Sequence, residues 1–120
     1  MISIFVLFPI IAFFFGAGLG SADLTYHFEN ETADISGNIE HEEVVRAFTE
    51  WSKYVDVNFT ETSLANQNSS IDILWGSGEH GDGFPFDGPS NVLAHCFYPS
   101  PPNPEPIAGN MHFDEDESWS

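Results

Sequence analysis

Residues 76–91, GSGEHGDGFPFDGPSN, are Gly-rich, acidic and too irregular for a helix or a strand. Sixteen such residues inside a small domain are uncommon unless they serve a function. Their apolar content is too low to hold them against a core, so something else must order them. Disulfides are excluded, because Cys96 is the single cysteine. Bound metal is the usual substitute in a small scaffold. The charge balance agrees. Nineteen carboxylates against only Arg46 and Lys53 give a formal net charge of −17. Such a chain repels itself unless cations neutralise it, and it has no basic patch with which to grip the phosphates of a nucleic acid.

The folded part is expected to be residues 23–120, enough for one small domain. Residues 1–20 are nearly all apolar and run through Ser21 and Ala22 into polar sequence. Residues 1–22 therefore read as a secretory signal peptide, although no Lys or Arg precedes the apolar run. An uncleaved anchor, the one route to a membrane for this chain, and an artefact of gene structure are the alternatives. Pro9 and the Gly-rich end argue against a stable spanning helix. Three N-x-S/T sequons, at Asn30, Asn58 and Asn68, fit a secreted product.

Along the chain, residues 24–29 (LTYHFE) alternate apolar and polar as a strand does. Asn38 stands as N-cap of a helix whose first turns carry Glu40, Glu42 and Glu43, where the helix dipole favours acids. Val44, Ala47, Phe48 and Trp51 recur at helical spacing and give it one apolar face. Residues 57–60, 71–75, 92–98 and 108–114 have strand composition, and residues 99–106 form a Pro-rich surface loop. This order predicts an α/β or α+β sandwich with one sheet.

Three of the five histidines fall in the second half beside a carboxylate: His80, Asp82, His95 and His112. In His80-Gly81-Asp82 the glycine lets both flanking side chains turn inward. Three imidazoles and one carboxylate make a closed tetrahedral set suited to Zn²⁺. A closed set leaves no position for water, so the predicted site is structural rather than catalytic. Any one of these histidines alone is more simply a satisfied core or surface residue; their joint placement argues for the ion. His27 and His41 lack such company and receive no role. The turn Asp87-Gly88-Pro89-Ser90, with Asp114 and Glu117, offers the oxygens that Ca²⁺ prefers. Cys96 should point away from the side that His95 uses and pack as a buried thiol.

The segments EHGDGFPFDGPSNVLAHCFYP and AGNMHFDEDESWS are similar to the heart of matrix metalloproteinase (matrixin) catalytic domains, and LTYHFEN and VVRAFTEWSK resemble that family's first strand and helix. The resemblance covers residues 23–120 and the N-terminal portion of the domain. It implies an α/β, zincin-like fold: a five-stranded twisted sheet, mostly parallel with one antiparallel edge strand, packed on helix. It further implies that His80, Asp82, His95 and His112 hold structural zinc. Asp87, Asp114 and Glu117 would then bind Ca²⁺ through carboxylates, with Gly88, Ser90 and Val92 giving backbone carbonyls. Leu93 and Ala94 match the edge strand along which extended substrates lie. Asp72 and Asn110 match a second calcium site, which Asn110 weakens because the family has Asp there.

Catalysis in this family rests on H-E-x-x-H-x-x-G-x-x-H. These 120 residues contain no such motif; His41-Glu42 is the one His-Glu pair, and Val45 stands where the second histidine is needed. Both ends therefore read as truncated, before the catalytic helix and without a prodomain. The expected function is that of a partial chain of a secreted zinc metalloendopeptidase acting on extracellular matrix or other extracellular proteins, inactive as given. The alternative is a secreted, non-catalytic zinc- and calcium-binding module.

Overall fold

The computed structural model describes residues 22–120. The apolar leader and its readings lie outside the described residues, apart from Ala22. Six elements follow one another: β1 (Ala22–Phe28), α1 (Ile39–Ser52), β2 (Val57–Glu61), β3 (Ser70–Gly76), β4 (Ala94–Cys96) and β5 (Met111–Asp114). They build one five-stranded sheet in the order β2-β1-β3-β5-β4. All pairings are parallel except that of β4 with β5, which puts an antiparallel strand at one edge.

The pattern of burial explains the order. In β1 the alternate residues Leu24 and Tyr26 are buried. In β3 Ser70, Ile71, Asp72, Ile73 and Trp75 are all buried, as in a central strand covered on both faces. Helix α1 buries Val44, Ala47 and Phe48. Phe48 wedges between Tyr26 of β1, with ring centroids 4.9 Å apart, and Phe59 of β2, stacked at 4.4 Å. On the other half of the sheet Trp75 stacks on Phe113 at 4.9 Å, and Trp119 meets Phe113 edge-on. Trp119 also donates its backbone N–H to Asp34 and its indole N–H to the Asp114 carbonyl, tying the 29–38 loop to the segment after β5. Among the described residues no helix is long and apolar enough to cross a membrane.

Three local expectations need correction. Asn38 occupies the N-cap position of α1 but makes no side-chain capping bond; its φ of −108° and ψ of 26° lie outside the β region that turns a capping side chain back. The strand expected over 92–98 is only Ala94–Cys96, because Ser90 and Asn91 both adopt positive φ and leave Val92 and Leu93 exposed. The strand expected over 108–114 starts at Met111, after the turn at Gly109.

Candidate metal centre

The long segment between β3 and β4 folds back over the end of the sheet. Gly76 ends β3 under His80 so closely that a Cβ there would stand 3.0 Å from the His80 Cβ. Gly81 has a φ of 98°, which only glycine adopts cheaply, and the chain can reverse between His80 and Asp82. Phe86 N–H donates to the Gly78 carbonyl at 2.9 Å, closing the loop, and Phe84 N–H donates to Asp82 Oδ1 at 2.8 Å. From the sheet, His95 and His112 arrive as direct cross-strand partners on β4 and β5.

The four side chains meet at one point. Asp82 Oδ2 lies 3.0 Å from His80 Nε2, 2.6 Å from His95 Nε2 and 2.9 Å from His112 Nδ1. The three nitrogens are 3.1–3.4 Å from one another. Donors around a tetrahedral zinc at ~2.0–2.1 Å stand about 3.3 Å apart, so the cluster has the dimensions such an ion needs. These residues could hold a metal ion. The outer contacts fit as well. His80 Nδ1 lies 2.8 Å from the Gly78 carbonyl oxygen, which can only accept, so Nδ1 carries the proton and the neutral ring turns the Nε2 lone pair to the cluster. Phe86 stacks on both His80 and His95, and Phe97 meets His95 and His112 edge-on, which flanks the point with apolar rings.

Electrostatics favour the ligating forms of Asp82 and His112. Burial pushes the Asp82 carboxyl up, but the Phe84 N–H, the His95 and His112 rings and the electrostatic attraction of His80 outweigh it and bring it down to about 2. Burial pushes His112 down from 6.5, more strongly than its contact with Asp82 raises it, which favours the neutral imidazole. Cys96 packs against the hydrophobic core, and burial lifts its thiol to about 12, far from a thiolate ligand.

The oxygens assigned to calcium are less gathered. Asp114 is fully buried; its Oδ1 accepts from Asp116 N–H, and its Oδ2 has no hydrogen-bond partner. Glu117 Oε1 is likewise buried without one. Asp87 is exposed and accepts the Val92 N–H at 3.4 Å, in a turn where Gly88 and Ser90 both have positive φ. Asp72 and Asn110 do meet, but through the Asp72 backbone: its N–H donates to Asn110 Oδ1 at 2.9 Å, while Asp72 Oδ2 accepts the Asn66 N–H. Leu93 is exposed, and its carbonyl accepts the Asp114 N–H; Ala94 opens the edge strand.

Sequence reasoning missed one group. Glu31, Glu40 and His41 bring one donor atom each within 4.8 Å of one another. Glu40 stands in the first helical turn, where the dipole favours acids, yet it is 0% exposed. The signal was available in its spacing, since residue 40 precedes the buried Val44 by one turn.

Comparison with known proteins follows the geometry. The matrixin family model matches residues 19–120. The chain is similar to karilysin of Tannerella forsythia, 41% identical over 106 residues that make 88% of this chain and 22% of that protein. It is similar to rat (Rattus norvegicus) matrilysin, 38% identical over 83% of this chain and 35% of that protein. It is also similar to pig (Sus scrofa) interstitial collagenase, 41% identical over 81% of this chain and 19% of that protein. The chain thus spans about a third or less of the length of these relatives. A family model that matches nearly all the described residues, over a sheet of the expected topology, places the chain in the matrixin family of peptidases.

Proposed function

We propose that the chain is the N-terminal scaffold of a secreted matrixin metalloendopeptidase that acts on extracellular proteins or peptides. The observation that carries this reading is the convergence of His80, Asp82, His95 and His112 on one point at the open edge of the sheet. Zinc held there would be a closed structural ion, pinning the 76–91 segment to β4 and β5. With four protein donors it has no position for a water, so it supplies order and no chemistry of its own. Calcium held by Asp87, Asp114 and Glu117, with carbonyls of Gly88, Ser90 and Val92, would fix the next turn of the same segment; the unpartnered oxygens of Asp114 and Glu117 support this. A second calcium at Asp72 and Asn110 has less support, because the Asn110 oxygen already accepts a backbone N–H.

The outer edge of β4 serves this function directly. Among the described residues β4 pairs only with β5, and Leu93 lies exposed beside it. An extended peptide adding to that edge would hydrogen-bond to the main chain around Leu93 and Ala94. The 120 residues hold the ordering metal and the substrate strand but no H-E-x-x-H. They should bind zinc and not cleave an unstructured peptide above background. The same residues joined to a helix bearing H-E-x-x-H-x-x-G-x-x-H should cleave it, and changing that helix's Glu should abolish the activity. Metal-dependent turnover by the 120 residues alone would overturn this reading. Zinc binding with no activity even in the joined protein would favour a secreted, non-catalytic metal-binding module.

A further inference from the structure

Glu40 is the most anomalous side chain outside the metal centre. It lies on the buried face of α1 with Val44, Ala47 and Phe48 and is 0% exposed. Among the described residues neither of its carboxylate oxygens has a hydrogen-bond partner. A buried carboxylate persists only when it is paired, protonated or bound to a metal. No lysine or arginine pairs it. The chain has two, and Arg46 is engaged by Glu43 and Lys53 by Glu50, both on the exposed side of the helix.

What surrounds Glu40 instead is a second set of donors. His41 follows it, its ring stacked on Phe28 with centroids 3.7 Å apart and planes 10° apart, and its Nε2 is buried without a partner. Glu31 reaches over from the loop after β1 and is exposed. A ligand atom of each lies within 4.8 Å of the others. Ligands 2.0–2.2 Å from one first-row ion stand no more than about 4.4 Å apart, so at most a small closure completes the set. We infer that Glu31, Glu40 and His41 form a second cation site, for a divalent first-row transition metal such as Zn²⁺, that clips the β1–α1 loop to the start of the helix.

The chemistry suits such an ion. Two carboxylates and one imidazole are a hard-to-borderline set, and their two negative charges neutralise a divalent cation in place. Three protein donors leave room for water, unlike the closed cluster of His80, Asp82, His95 and His112. The site draws on none of those four residues and stands whether or not they bind zinc.

The test counts Zn²⁺ on the full 120-residue chain near neutral pH, for the wild type and for Glu40→Gln, Glu31→Gln, His41→Ala and His112→Ala. The expected result is that Glu40→Gln and His41→Ala each bind one equivalent fewer than the wild type. Glu31→Gln, at an exposed position that folding does not need, should weaken that same equivalent at least tenfold. His112→Ala should keep it. Loaded with Co²⁺, His112→Ala should still show visible absorption, and adding Glu40→Gln should remove it. If all three variants at Glu31, Glu40 and His41 bind as many equivalents as the wild type, the site is absent and the inference is overturned. If Glu40→Gln fails to fold, Glu31→Gln decides alone, and unchanged affinity there overturns the inference.

Discussion

One oxygen of Asp82 stands between three imidazole nitrogens, and that single atom carries much of the centre's electrostatics. Substituting His112 by Ala removes one donor of four and opens a gap between β5 and the loop. Zinc affinity at this site should fall by roughly a hundredfold, read by competition with a chromophoric chelator. Acid should act in the same direction. In the metal-free chain the Asp82 carboxyl sits at about 2 against an ordinary 3.8, and His112 sits below its ordinary 6.5. In both windows the unfolded chain binds more protons than the folded one, so stability falls as pH drops. The His112 contribution is present above 6.5 and is lost on going below it; the Asp82 contribution is lost between 3.8 and about 2. Denaturant melts across pH 8 to 2 should show both losses, and a midpoint that rises on acidification would contradict the assignment. At this scale the sequence was legible where spacing encoded geometry: His80 and Asp82 two residues apart about a glycine, and His95 and His112 on neighbouring strands. At Glu40 the helical spacing carried the signal, but a charged residue in the first turn reads equally as an acid that the helix dipole favours, and the register of the whole helix decides.

At the scale of elements, α1 is held by one aromatic knob. Phe48 is 2% exposed and packs between Tyr26 and Phe59. Phe48→Ala should cost about 3–5 kcal/mol, enough to consume a large part of the stability of a domain this small, and urea unfolding measures it. The β3–loop junction offers a more local test. Gly76→Ala would press its new methyl to 3.0 Å from the His80 Cβ, with a Leu74 methyl 3.7 Å away. Zinc affinity should drop by about tenfold while the sheet stays folded, a split that separates ligand placement from global stability. Strand existence followed from composition, since β1, β2 and β3 are each short apolar or alternating runs, whereas the mostly parallel arrangement with an antiparallel edge came from the family resemblance. Strand ends did not. The residues before β4 are apolar, but the left-handed pair Ser90 and Asn91 lifts Val92 and Leu93 out of the ladder. Composition cannot register that, because the cause is the backbone conformation of two residues and not their apolar content. The same limit applies at Asn38, whose residue type suits a cap that its backbone angles do not let it make.

For the whole molecule the question is what orders a chain with a net charge of −17 and no disulfide. The core of Leu24, Tyr26, Phe48, Ile73, Met111 and Phe113 lies under β1, β3 and β5 and leaves the 76–91 segment outside it, where Phe86 is the one buried apolar residue. Stability should therefore be uneven. With a chelator present, amides of residues 76–91 should exchange well before those of β1 and β3, and zinc should restore them. Equal protection of that segment with and without metal would mean that packing alone holds it. The account rests most heavily on the identity of the four donors, which X-ray absorption at the zinc edge reads directly. With one equivalent of zinc bound, it predicts four nitrogen or oxygen scatterers at about 2.0–2.1 Å with the outer-shell signature of three imidazoles. That spectrum should be unchanged in Glu40→Gln and altered in His112→Ala. A sulfur scatterer near ~2.3 Å from Cys96, or a spectrum indifferent to His112→Ala, would contradict the closed His80, Asp82, His95 and His112 centre.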